Sequence, residues 1–178
     1  NYKCHDLKHQ IHRMRAGLSG DELNEIEDAI AIYETGYRTG NEALDVILTE
    51  KSRLCRREGI RMVCVADGSA LGFMSEADIY SLFGNAVDNA IEAAEKMPEG
   101  ERKISLTVIC QDERLVCRIT NSSPDREVTR LETGKKDRGN HGFGVENIKA
   151  TLAKYGSEPE FDYSDHVFGL KFVIFLEK

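Results

Sequence analysis

No apolar run in the 178 residues approaches the ~20 that a membrane-spanning helix needs, and no secretory signal pattern is present. The chain starts Asn-Tyr-Lys rather than with Met, so the expectation is a fragment of a longer protein, with any membrane segment upstream. Positive charge is in deficit: 24 Lys and Arg against 31 Asp and Glu give a net charge of −7, which argues against general nucleic-acid binding. The five cysteines, Cys4, Cys55, Cys64, Cys110 and Cys117, are odd in number and lack a Cys-x-x-Cys spacing. That points to a reducing compartment and to buried or incidental thiols rather than disulfides or zinc. Cys110 and Cys117 fall on expected strands and are read as core. Internal repeats and low-complexity segments are also missing. What is present, 40% hydrophobic and 31% charged residues, suits a soluble globular protein. The length holds one domain with a full core, or one domain plus a helical appendage.

Residues 1–16 read as a helix, with Leu7, Ile11 and Met14 at three- and four-residue steps and Cys4 and Leu18 extending the row. Gly17-Leu-Ser-Gly20 interrupts the pattern, which resumes over 21–34 through Leu23, Ile26, Ile30 and Tyr33. After a turn at Thr35–Gly40, residues 41–58 form a second long amphipathic helix on Leu44, Ile47, Leu48, Leu54 and Cys55. These helices make a hairpin whose apolar stripe has no obvious cover in the chain. Pairing with a second hairpin would give a four-helix bundle, so a homodimer is expected.

After Gly59 the period changes. Ile60–Ala66 reads as a strand, and Ser75 can cap a helix that runs to about Met97, before Pro98 and Gly100. Strands Lys103–Cys110 and Leu115–Thr120 flank a hairpin turn. Asn121–Asn140 is polar and long enough to be a lid or binding loop. A helix over about Phe143–Tyr155 and strands at Phe161–Tyr163 and Gly169–Leu176 complete the pattern. The expected fold class is α+β: a helical hairpin over 1–58, then an α/β sandwich of mixed sheet and helices over 60–178.

Within the helix after Ser75, Leu82, Phe83, Ala86, Val87, Ala90 and Ile91 make a broad apolar face. Asn85 and Asn89 lie four apart, so their amides share a face. Asn is a poor helix former because its amide competes for backbone hydrogen bonds, so this pair asks for a reason. It is either a solvated polar face or a pair of amides aimed at a ligand such as a metal-bound phosphate. Gly139-Asn-His-Gly-Phe-Gly144 closes the polar loop and opens the next helix. It is either a hinge or a place where backbone approaches an anion at a helix N-terminus. It is neither a Walker A loop, since Gly134-Lys135-Lys136 lacks the upstream glycine and the following Ser or Thr, nor a Rossmann fingerprint, since no strand precedes it. Lys135 and Lys136 are either solvated or placed to meet phosphates.

Asn85-Ala-Val-Asp88-Asn89-Ala-Ile-Glu-Ala resembles the N-box of the ATPases shared by gyrase, Hsp90, histidine kinases and MutL. Gly139-Asn140-His141-Gly142-Phe-Gly144-Val-Glu-Asn-Ile resembles their second glycine box. The order of elements over 60–178 is similar too. The resemblance implies that Asn89 ligates Mg²⁺ and that Asn85 approaches the metal or its water. It also implies that the N-box with Asp88, together with Lys135, Lys136, Asn140, His141, Gly142 and Gly144, serves ATP. In the gyrase and Hsp90 branches the first N-box position is a Glu that activates water. An Asn there cannot act as a base, which favours phosphoryl transfer to a side chain over hydrolysis. Most members also carry Asp-x-Gly-x-Gly, whose Asp reads the adenine amino group. Here Ile119-Thr-Asn121-Ser-Ser-Pro124 stands in its place, with Asn121 as the candidate acceptor, a form that resembles quorum-sensing receptor kinases.

His5-Asp6-Leu-Lys-His9-Gln10 resembles the H-box of a phosphoacceptor helix. By that resemblance His5 takes the γ-phosphoryl group, Asp6 orients it or acts as its base, and Gln10 positions a water for dephosphorylating a partner aspartate. His9, one turn away, is the competitor. The implied whole is the cytoplasmic part of a membrane-anchored sensor histidine kinase. It would use ATP and Mg²⁺, dimerise through the hairpin, and pass phosphate to a response regulator.

Overall fold

The computed structural model describes residues 36–124 and 142–176. The first expected helices, over 1–34, and the polar loop beyond Pro124 lie outside the described residues. Two units divide the chain after Tyr37, and the second, Arg38–Lys178, holds every element described here.

Helix α1 (Glu42–Arg57) starts where the sequence supplies a cap: the Asn41 side chain accepts from the Leu44 N–H at 3.0 Å. Glu42 and Asp45 in the first turn and Arg56 and Arg57 in the last complement the helix dipole. The cap is itself clasped. The Thr39 N–H and hydroxyl both donate to Asp45 Oδ1 at 2.7 Å, and the Gly68 N–H donates to the Thr39 carbonyl at 2.8 Å. Gly68 must be glycine, because a Cβ there would fall on the Thr39 hydroxyl.

Ala43, Leu44, Ile47, Leu48 and Cys55 of α1 are buried within this unit, against α2 (Glu76–Glu95) and strand β1 (Arg61–Ala66). The stripe expected to need a second hairpin is therefore covered inside the chain. Helix 41–58, which the sequence assigns to a separate hairpin, shares the core of the α/β part instead. Arg102 stitches the ends of α1 and α2, its Nη1 donating to the Glu58 carbonyl at 2.7 Å and its Nε to that of Met97 at 2.9 Å.

A short 3-10 turn (Gly68–Leu71) leads from β1 to α2, which Ser75 caps as expected. Strands β2 (Lys103–Gln111) and β3 (Arg114–Ser122) follow, then α3 (Gly142–Ala153), β4 (Glu160–Ser164) and β5 (Val167–Phe175). The five-stranded sheet has the order β1-β2-β3-β5-β4. It is mixed: α2 crosses over between β1 and β2, which pair in parallel, and the other neighbours are antiparallel. Both hairpins turn on two residues with positive φ, Asp112-Glu113 and Asp165-His166.

Alternation sends Ile104, Leu106, Val108, Leu115, Cys117, Ile119, Leu170, Phe172 and Ile174 to one buried face. The apolar face of α2 lies on it, with the rings of Phe83 and Phe172 edge to face at 6.3 Å. The opposite face is open, with Val63, Val65 and Phe175 more than half exposed. The fold is thus the expected α+β layering of mixed sheet and helices. Burial pushes the Cys55 and Cys64 thiols up to about 11 and raises Cys117 as well, so these are protonated, inert thiols. Cys110 departs from its expected core role and is exposed, because β1 stops at Ala66 opposite Val108 and leaves it no neighbour on that side. Among the described residues no helix is long and apolar enough to cross a membrane.

Candidate functional site

The amides of α2 meet the glycines of α3. The Asn85 Nδ2 donates to the Ser81 carbonyl one turn back, which leaves Oδ1 as its outward end. Gly144, in the first turn of α3, lies directly over both Asn side chains. A Cβ at Gly144 would stand 2.9 Å from Asn89 Oδ1, 3.2 Å from its Nδ2 and 3.5 Å from Asn85 Oδ1. Glycine lets α3 come this close, because a Cβ would have to displace the end of the Asn89 amide, and no positive φ is involved. Gly142 is the first residue of α3, so the N-terminus of that helix, whose first N–H groups have no partner within the helix, lies next to the amide pair.

Beside this junction is a cavity of about 110 Å³. Asn89, Glu92 and Ala93 of α2 and its C-cap Lys96 line one side, and Val145 and Ile148 of α3 another. The strands contribute Ile119, Asn121, Phe161, Phe168 and Leu170, the two phenylalanine rings stacked at 5.8 Å. Apolar walls with a few fixed polar groups are the usual make-up of a small-molecule site.

Asn121, expected to open the loop, belongs instead to β3, which runs two residues past Thr120 and pairs Asn121 with Ile104 and Phe168. It is 4% exposed, and its Nδ2 donates to the Ser122 carbonyl at 3.0 Å. That bond fixes the amide, so Oδ1 is the end that can accept. The strand's exit is pinned just beyond, where the Ser123 N–H donates to the His166 carbonyl at 2.8 Å.

Asn85, Asn89, Asn121, Gly142 and Gly144 thus come together around one junction and its cavity. Asp88 does not join them: one residue turns the helix by about 100°, and its carboxylate pairs with Lys51 Nζ of α1 at 2.7 Å. His5, Asp6, Gln10, Lys135, Lys136, Asn140 and His141 lie outside the described residues. The wall residues Val145, Ile148, Phe161, Phe168 and Leu170 were not marked by any local motif, because their common destination is set by strand pairing and helix packing.

Chemically, the junction offers hard, neutral amide oxygens and backbone N–H groups, and the cavity offers apolar walls with one fixed acceptor. Among the described residues no three His, Cys, Asp or Glu side chains form a metal cluster. The Asn oxygens suit Mg²⁺, which takes few protein ligands and keeps water and substrate phosphates as the others. A family model described as the GHKL domain matches residues 74–175. The chain belongs to the GHKL domain family.

This GHKL domain has solved relatives in fold. One structure of the catalytic domain of histidine kinase ThkA has a TM-score of 0.59 at 17% identity, covering 78% of this chain and 93% of that one. A second nucleotide-free form of the same domain gives 0.58 at 17% identity over 75% and 91%. The histidine kinase AdeS of Acinetobacter baumannii gives 0.53 at 9% identity over 97% and 83%. At these identities the likeness is one of fold. No curated protein matches the sequence. GHKL domains bind ATP, generally with Mg²⁺, and the fold resembles that of histidine kinase catalytic domains.

Proposed function

We propose that this chain is the catalytic portion of a sensor histidine kinase, which phosphorylates its own His5 from ATP and passes the phosphoryl group to a response-regulator aspartate. The observation that carries the reading is Gly144 seated over Asn85 and Asn89 beside a cavity that holds a fixed, buried acceptor at Asn121. In this reading the Asn121 Oδ1 accepts from the adenine amino group, and the apolar walls bury the base. Asn89 and Asn85 supply oxygens to Mg²⁺, which when bound neutralises phosphate charge. The α3 N-terminus, with Asn140, His141, Gly142 and Gly144, meets the phosphates, and Lys135 and Lys136 cover them.

The bond from the γ-phosphorus to its bridging oxygen breaks as a bond to a His5 ring nitrogen forms, and ADP leaves. Asp6 holds the other ring N–H, and Gln10 places water for the reverse signal. Positioning and charge neutralisation dominate such a transfer. Asn at position 85 gives water no base, which supports transfer over hydrolysis. The protein acts as a homodimer.

Incubation with γ-labelled ATP tests this. Acid-labile label is expected on the wild-type chain, absent from His5→Ala and reduced at least tenfold in Asn89→Ala. Label that persists in His5→Ala removes that residue as acceptor. Turnover of ATP without label makes the chain a hydrolase of the same family, and failure to bind nucleotide ends the reading altogether.

A further inference from the structure

Apolar packing decides which face of α3 meets α2, through Val145, Ile148 and Leu152, and directional polar contacts add to it in setting where along α2 the helix sits. A slide of one residue, about 1.5 Å, would carry Gly144 off the amides or drive its neighbours into them. Directional contacts fixing that position are found at the other end of α3. Lys154 Nζ donates to Asp78 Oδ1 at 2.6 Å, and the Tyr155 hydroxyl donates to Asp78 Oδ2 at 2.7 Å. The same hydroxyl accepts from the Ser75 N–H at 3.3 Å, and the Ser75 hydroxyl donates to Asp78 Oδ2 at 2.9 Å. Both carboxylate oxygens are engaged, at the capped first turn of α2. Midway, the hydroxyls of Ser81 and Thr151 are 3.2 Å apart. Low numbers on α2 meet high numbers on α3 throughout, so the helices run antiparallel in one register from the Asp78 cluster to Gly144.

We propose that Asp78, Lys154 and Tyr155 are positioning residues: they set the axial register of α3 on α2 and thereby hold Gly144 over Asn85 and Asn89. The cluster works from roughly 15 Å away, at about 1.5 Å per residue over the ten residues from Gly144 to Lys154. It touches neither nucleotide nor metal. The affinity consequence rests on the ATP-binding reading above, while the register itself does not.

The register is read in the ligand-free full chain from the side-chain NH₂ resonances of Asn85 and Asn89. They are expected to move in Asp78→Ala, Lys154→Ala and Tyr155→Phe, and to return towards wild type in Lys154→Arg. Tyr155→Phe loses only a hydroxyl, so it keeps the test open should Asp78→Ala fold poorly. Resonances unmoved in folded Tyr155→Phe and Lys154→Ala overturn the proposal, whatever the nucleotide result. Mg-ATP titration at a temperature where every variant is folded is expected to show affinity at least fivefold weaker in Lys154→Ala, with Lys154→Arg within twofold of wild type. A lowered urea midpoint with unchanged resonances and affinity would make the cluster a simple staple and overturn the proposal. If wild type fails to bind Mg-ATP while the resonances still move as expected, the register stands and the kinase reading falls.

Discussion

Gly144 carries no side chain at the point of α3 where one would collide with Asn89. Alanine inside a helix is worth about 1 kcal/mol over glycine by propensity, so Gly144→Ala ought to raise or preserve stability if only the helix mattered. The close approach argues the opposite for binding. The expected outcome is a melting temperature within a few degrees of wild type and Mg-ATP affinity at least tenfold lower, read by calorimetric titration. Unchanged affinity would dissociate the glycine box from the Asn pair. Asp78 gives a second residue-scale expectation. Hydrogen bonds from Lys154, Tyr155 and Ser75 hold its carboxyl down to about 2, below the ordinary value of 3.8. A depressed carboxylate contributes stability that is fully present above about pH 4 and lost as pH falls towards 2. Urea midpoints measured from pH 5 to pH 2 should therefore fall more steeply for wild type than for Asp78→Asn. Equal slopes would show that the bonds are absent in solution.

At the scale of elements, legibility followed the range of the interaction. The Ser75 cap, the α2 face and the Asn85/Asn89 pair are local patterns, and each stands where helical spacing puts it. The hairpin turn between β2 and β3 is local too. Contacts between Asp78 and Lys154 span 76 residues, and the walls of the cavity come from two helices and three strands, so no window of sequence displays them. Helix α1 shows a subtler failure of reading. Its stripe was plain, but periodicity says that a face is buried, not what buries it. The partners are α2 and β1, and the clasp of Thr39 on Asp45 and Gly68 ties the α1 cap to the turn between them. Gly68→Ala puts a methyl group onto the Thr39 hydroxyl and 2.9 Å from Asn41 Cβ, so the turn must open. Overpacking of this kind costs about 1–3 kcal/mol. Urea unfolding should show that loss, and Gly72→Ala, where the nearest atom is 3.7 Å away, should show much less.

For the whole molecule, covering α1 from within changes where a dimer can form. Leu44 and Leu48 are fully buried inside Arg38–Lys178, so that unit has no α1 stripe left to offer a second copy. A dimer built on the expected helical hairpin would then take its interface from residues 1–37, which include His5. A fragment of residues 38–178 is therefore expected to fold, to sediment as a monomer and to bind Mg-ATP within about twofold of the full chain. It should take no label from γ-labelled ATP, whereas the full chain should sediment as a dimer and be labelled. The open sheet face offers the competing route, with Val63 at 53%, Val65 at 61% and Phe175 at 66% exposure. Exposed apolar groups of this kind can mark an association surface. A dimeric fragment whose association is lost in Val65→Lys would place the interface on the sheet. The first helices would then keep the phosphoacceptor but not the dimer contact, and the bundle expected from the N-terminal pattern would have to be given up.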